Sequence, residues 1–279
     1  MNSKNKELIY VNNVSYSYGK NKVLDNISFK VFEKEVLGII GKNGSGKSTL
    51  IHLLSTIKTP KKGKIIVKNC KNQDEQRKIQ SVVFQDQVLD FGLTPLDVLE
   101  IQCMLYDIKY SEEDAKKLLK FFSLYDVRNN LIKTFSGGMK RKVELARALI
   151  TKPKILLLDE PTNNLDKKTR INFLDYIKEL GITIIFVSNN PDEIARISNR
   201  VILIKKGKLE KEVLIEKEKI ILECKEKFDC KYNHKWDDLT LTIYVPSRIT
   251  SDEIIENIPL KYIKNIKIKR SNAYDLFNF

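Results

Sequence analysis

The chain has 279 residues, 42% hydrophobic and 31% charged, which is enough to bury a large core; this excludes a disordered polymer and leaves room for one large domain, or one large and one small. The formal charge is +14, yet lysine far outnumbers arginine and is spread along the chain without aromatic interleaving, so a solvated lysine-rich surface is expected and no specific nucleic-acid partner. Four cysteines without a C-x-x-C pair, a polar N-terminus and no apolar run near the roughly 18 to 20 residues that cross a bilayer lead us to expect a reduced, cytoplasmic protein that meets a membrane only through a partner.

Residues 7 to 35 read as short β segments, ELIYV, VSYSYG and VLDNISFKVF, with alternating burial. Tyr16 and Tyr18 lie in the second; taken alone they are packing residues, although an aromatic ring here can also stack on a purine. The apolar run VLGII (36–40) then leads into GKNGSGKST (41–49) and the helical LIHLLSTI, so a buried strand turns through glycines into a helix. This fits G-x-x-x-x-G-K-[ST] without a mismatch, a phosphate-binding loop. Gly41, Gly44 and Gly46 permit the backbone angles that let N–H groups of the loop, Asn43 and Ser45 included, close around phosphate oxygens at the helix N-terminus. Lys47 adds a full charge at the terminal phosphates, Ser48 a hydroxyl for Mg²⁺, and Thr49 a donor to phosphate.

A Pro/Gly turn and a strand follow in TPKKGKIIVKN (59–69), then a buried strand SVVFQD (81–86) ending at Gln85, whose carboxamide either coordinates a metal through oxygen or satisfies the sheet end. From 94 to 150 the pattern is helical, with a capping box Ser111-x-x-Asp114. KILLLDEPTNNLD (154–166) is a buried strand ending in two acids, the Walker B arrangement: Asp159 holds Mg²⁺ through water or Ser48, and Glu160 polarises the attacking water. A solvated strand end is the plainer alternative. A helix to Gly181, the strand ITIIFV, a helix started by Asn190, Pro191 and Glu193, and a hairpin over 200–212 complete an alternating pattern that implies a mainly parallel sheet covered by helices. From 213 the pattern changes to a small α+β unit of ββαβ order, with Thr250-x-x-Glu253 capping its helix and a short terminal helix in NAYDLFNF. Cys230, His234 and Trp236 are neighbours there, but one cysteine and one histidine do not make a zinc site.

Between the two phosphate motifs lies FSGGMKRKVELARALITKP (135–153), which resembles the signature of ATP-binding cassette (ABC) ATPases. The resemblance covers residues 7 to about 210 in one fixed order of motifs. It implies Tyr18 stacking on adenine, Gln85 as the Q-loop, Ser136, Gly137 and Gly138 as the signature, and Asp166 in the D-loop. It also implies a P-loop NTPase (RecA-like) core with an antiparallel β subdomain and a helical signature subdomain (about 87–148), the cassette spanning 1–212 and an accessory domain 213–279. ATP with Mg²⁺ lies, in this family, between the P-loop of one cassette and the signature of a second, in a homodimer or heterodimer. Phe135, Met139 and LTPLDVLEIQCMLYDI resemble cassettes serving ABC-2 type exporters, which implies a polytopic membrane permease as partner and a place at the inner face of the cell membrane. One position departs: the family's switch histidine aligns with Asn189, an amide that carries neither proton nor charge. The alternatives are a soluble ABC ATPase without a transporter and a weakly hydrolysing regulatory cassette.

Overall fold

Two long strands, β1 (Glu7–Tyr18) and β2 (Asn21–Phe32), open the chain as an antiparallel pair, and β1 pairs on its other edge with β4 (Lys62–Val67). The sequence predicts two short segments where β1 stands. A single strand forms because register shifts between Val11 and Tyr16 absorb the break: Asn13 adopts φ 50 and its N–H donates to Ser28 Oγ at 2.8 Å. The computed structural model describes residues 6–86, 89–90, 92–232, 234–246 and 251–270.

Buried β3 (Val36–Ile40) runs into α1 (Lys47–Leu54) as expected. After β4 comes α2 (Gln73–Ile79), which the sequence reading missed: its polar face gives no apolar period, and Asn72 caps it by accepting from the Glu75 N–H. It leads directly into β5 (Gln80–Val83), shorter than the predicted 81–86. Three helices follow, α3 (Pro95–Leu105), opened by a Thr94/Asp97 capping box, α4 (Glu112–Phe121) and α5 (Gly137–Ile150). The predicted box at Ser111 is half formed. Ser111 Oγ accepts from the Asp114 N–H, but the Asp114 carboxylate takes Lys152 Nζ at 2.5 Å instead.

Strand β6 (Ile155–Asp159), α6 (Lys167–Glu179), β7 (Thr183–Val187), α7 (Pro191–Ile197), β8 (Arg200–Lys205) and β9 (Lys208–Leu214) complete a six-stranded sheet of order β5-β6-β7-β3-β8-β9, parallel except for the β8–β9 hairpin. Its central strands are apolar on both faces because both faces are covered. Leu37, Ile39, Ile155, Leu157, Ile185 and Val187 pack toward α1 and the antiparallel sheet. Leu156, Leu158, Ile184 and Phe186 pack on the opposite side with the helices.

Beyond it, β10 (Glu216–Cys224), β11 (His234–Asp237), β12 (Thr240–Pro246), α8 (Ser251–Glu256) and β13 (Ile263–Arg270) form a second, four-stranded antiparallel sheet of order β11-β12-β10-β13 with its own core of Ile220, Leu222, Leu241, Ile243 and Ile254. The order is βββαβ, one strand more than predicted, since four residues of β11 are too few to show alternation yet pair fully with β12. Thr250 and the predicted terminal helix lie outside the described residues.

Candidate active site

Four parallel strands deliver most polar residues of the site from their C-terminal ends, where the sheet leaves backbone donors and loop side chains facing one crevice. β3 ends at the glycine loop, β6 at Asp159 and Glu160, β7 at Ser188 and Asn189, and β5 shortly before Gln85. Asn43, Gly44, Gly46, Lys47, Ser48, Thr49, Gln85, Asp159, Glu160 and Asn189 line one cavity of about 710 Å³. Asn21, Val23 and Asn163 complete the lining; sequence reasoning did not single them out.

The loop is built for close approach. At Gly41 a Cβ would stand 2.2 Å from the Ile204 carbonyl oxygen, so a second strand presses on the backbone there. Gly46, the residue before α1, sits at φ 107, which only glycine adopts readily. Lys47 folds back over the loop, donating from Nζ to the carbonyls of Gly41 (2.7 Å) and Lys42 (3.1 Å). Burial lowers its pKa, opposed by the carboxylates of Glu160 and Asp159.

The two acids are buried and incompletely satisfied. Asp159 is 1% and Glu160 6% exposed, and Asp159 Oδ1 and Glu160 Oε1 have no hydrogen-bond partner. Burial raises the Asp159 pKa, against the hydroxyl of Ser48 donating to it. Burial pushes Glu160 up to about 7, with Lys47 and the donating Asn189 N–H opposing and Asp159 reinforcing. Orphaned carboxylate oxygens beside a serine hydroxyl fit a hard, oxygen-seeking divalent cation. Among the described residues no group of three or more His, Cys, Asp or Glu could hold a metal alone. Ser48, Asp159 and Gln85 therefore suit Mg²⁺ that arrives with the oxygens of a nucleotide phosphate. When bound, Mg²⁺ supplies charge neutralisation at the phosphate oxygens.

Asn189 links two motifs. Its Nδ2 donates to Asn43 Oδ1 at 2.9 Å, and its backbone N–H donates to the Glu160 carboxylate. Behind it Glu193, 5% exposed, accepts from Ser188 Oγ and Thr162 Oγ1, both at 2.8 Å, joining the β7 end to the segment after Glu160.

Several residues expected at the nucleotide are not on this cavity. Tyr18 ends β1, 44% exposed, with Lys58 Nζ 5.0 Å from its ring centre, and does not line the cavity, to which the start of β2 contributes Asn21 and Val23. Ser136 caps α5 by accepting from the Met139 N–H, and neither it nor Gly137 lines the cavity of the chain's own phosphate loop. Gly138 lies against the chain after Glu160, where a Cβ would meet the Asn164 carbonyl at 2.7 Å. Asp166 caps α6, accepting from the Thr169 N–H and hydroxyl, which hold its pKa down to about 2. Sequence reasoning also missed Arg141, 1% exposed, whose guanidinium reaches the carbonyls of Phe84, Asp159, Glu160 and Pro161. A cation on the buried face of a helix was the only signal that could have marked it.

A glycine loop between a parallel strand and a helix, with two buried acids ending the adjacent strand, defines a P-loop nucleotide-hydrolysing protein. Residues 24–163 match the ABC transporter family. An ABC transporter ATP-binding protein of Methanocaldococcus jannaschii is 36% identical over 219 residues, covering 72% of this chain and 97% of the relative. The doxorubicin resistance ATP-binding protein DrrA of Mycobacterium tuberculosis is 34% identical, covering 71% of this chain but 63% of the relative, and the methionine import ATP-binding protein MetN of Clostridium tetani is 36% identical, covering 71% and 66%. A dimeric ATP-binding cassette in a post-hydrolysis state with ADP and Pi superposes with a TM-score of 0.68 at 30% identity, covering 75% of this chain and 99% of that one. The chain belongs to the ABC transporter family: it is an ATP-binding cassette and an ATPase, with ATP and Mg²⁺ as its ligands.

Proposed function

We propose that this cassette powers export through a membrane-spanning permease carried on a separate chain, as one half of a head-to-tail cassette pair at the inner face of the membrane. The observation that carries the permease reading is a groove of about 290 Å³ behind the Gln85 segment, lined by Ile57, Gln80, Phe84, Gln102, Tyr106 and Arg147 among others. Ile57 of this lining is 59% exposed, and Met104 and Leu105, which lie between the lining residues Gln102 and Tyr106 in the chain, are 71% and 75% exposed. Exposed apolar side chains at a cleft lined by Phe84, the residue before Gln85, suit a short segment of another protein and give that segment a lever on Gln85. The export direction rests on the similarity to DrrA and on Phe135 and Met139 flanking the signature.

Within the pair, the signature would complete the site of the second chain. Ser136 and the Gly137 and Gly138 N–H groups, at the start of α5, would face the γ-phosphate held by Lys47 of the other cassette. Glu160 orients and deprotonates the attacking water, Lys47 and the loop N–H groups neutralise the transferring phosphoryl group, and Gln85 holds the metal side of the cavity; the rate comes from positioning and charge. Asn189 favours a second reading, a weakly hydrolysing regulatory cassette, because an amide neither takes up a proton nor carries a charge.

Fractionation of the chain's own cells tests the docking. The unsubstituted protein should appear with membranes, and the Met104→Glu, Leu105→Glu double variant should move to the supernatant while keeping its ATP affinity. Equal partition of both forms would remove the groove from the permease reading.

A further inference from the structure

Arg141 uses all five of its N–H donors. Nε donates to the Pro161 carbonyl at 2.9 Å; Nη1 to the Phe84 carbonyl at 2.5 Å and Glu144 Oε2 at 3.1 Å; Nη2 to the Asp159 carbonyl at 3.1 Å and the Glu160 carbonyl at 2.7 Å. Successive carbonyls of an extended strand point to opposite sides. Three consecutive ones, from 159 to 161, reach a single side chain only because Glu160 leaves the extended region, at φ 48. That conformation is uncommon for a residue other than glycine and persists where the surroundings enforce it. The same guanidinium holds the carbonyl of the residue before Gln85. Arg141 itself stands one helical turn beyond Gly137 on α5, whose N-terminus is the signature.

We propose that Arg141 is a positioning residue that sets the hydrolytic geometry from the signature helix: it fixes the backbone from which Glu160 and Gln85 enter the phosphate cavity, and it transmits any shift of the signature end of α5 to both. It touches neither nucleotide nor metal. Its planar fork is what the task requires, since a lysine ammonium has three donors at one point and cannot span four carbonyls on two segments. The consequence for turnover rests on the ATPase assignment; the consequence for backbone order does not.

The test compares the full chain with Arg141→Lys and Glu144→Gln, measuring steady-state kcat and KM for ATP, thermal unfolding, and hydrogen exchange by peptide. Arg141→Lys should lower kcat about 100-fold, as expected for misplaced reacting groups. KM should stay within about threefold, because the loop that binds phosphate is untouched. Exchange should quicken in peptides spanning 158–163 and 81–86 and stay unchanged in α1. Glu144→Gln removes the carboxylate but leaves the four carbonyl bonds, so it should lose thermal stability yet keep kcat per folded molecule within about threefold. A kcat for Arg141→Lys close to that of the unsubstituted chain, or exchange raised uniformly through the sheet, would overturn the proposal. So would equal kcat losses in the two variants, since the effect would then follow stability and not the carbonyl clamp. Absence of turnover in the unsubstituted protein would sink the ATPase assignment instead, and the exchange pattern would still decide the role of Arg141.

Discussion

Glu160→Gln should stabilise the nucleotide-free protein, and the gain should grow with pH. A glutamate in the unfolded chain releases its proton near 4.5, whereas burial raises Glu160 in the fold to about 7. Between these values the folded state holds a proton that the unfolded state has lost, so stability falls as pH rises through this window and is level above it. The separation is about 2.5 in pKa, and at about 1.36 kcal/mol per unit the full cost above pH 7 is about 3 kcal/mol. At pH 5 less than about 1 kcal/mol of it has developed. Glutamine fills the same space, keeps an oxygen for the Asn189 N–H and cannot ionise. Urea unfolding at pH 5 and pH 8, followed by far-UV circular dichroism, measures the difference. Trp236 is a poor probe because it lies in the C-terminal sheet. The variant should exceed the parent by about 3 kcal/mol at pH 8 and by under about 1 at pH 5. The same gain at both pH values, or none at pH 8, would refute burial as the cause of the raised pKa.

The same Glu160→Gln variant should sediment as a dimer with saturating ATP and Mg²⁺ and as a monomer with ADP, since it keeps every binding group and loses only the proposed base; a monomer under both conditions would reject pairing of this cassette with itself. Asn189→His should raise steady-state ATPase by about 10² or more if a shared proton or charge is what that position lacks. Equal rates for the parent and the histidine variant, both well above Glu160→Gln, would show instead that the amide, through Asn43 and the Glu160 carboxylate, already orients the water well enough.

The phosphate site was legible because its chemistry is local. Gly41 to Thr49 are contiguous, the strand before them and the helix after them carry their own patterns, and Asp159 with Glu160 ends a run of aliphatics that has no other reason to stop in paired acids. The central sheet was legible for the same reason: near-continuous aliphatic strands at regular spacing admit few arrangements other than a covered parallel sheet. Elements too short or too polar to show a period were missed or cut differently, as at α2 and β11, and Asn13 joined two predicted segments into one strand by a backbone angle that no composition announces.

What the sequence by itself determined is therefore the set of groups with a chemical purpose and their order along the chain: the loop, its lysine and serine, the two acids and the signature. Tertiary structure alone decided how those groups are held. That Glu160 takes a left-handed backbone held by three guanidinium hydrogen bonds to residues 159–161, that its proton affinity is raised by burial, that Asn189 ties Asn43 to Glu160, and that Tyr18 and Ser136 stand off the chain's own cavity all depend on residues separated by tens to more than a hundred positions. Such contacts follow from packing most helices on one face of the sheet and α1 with the antiparallel strands on the other. Burial and convergence of donors arise only when those layers close.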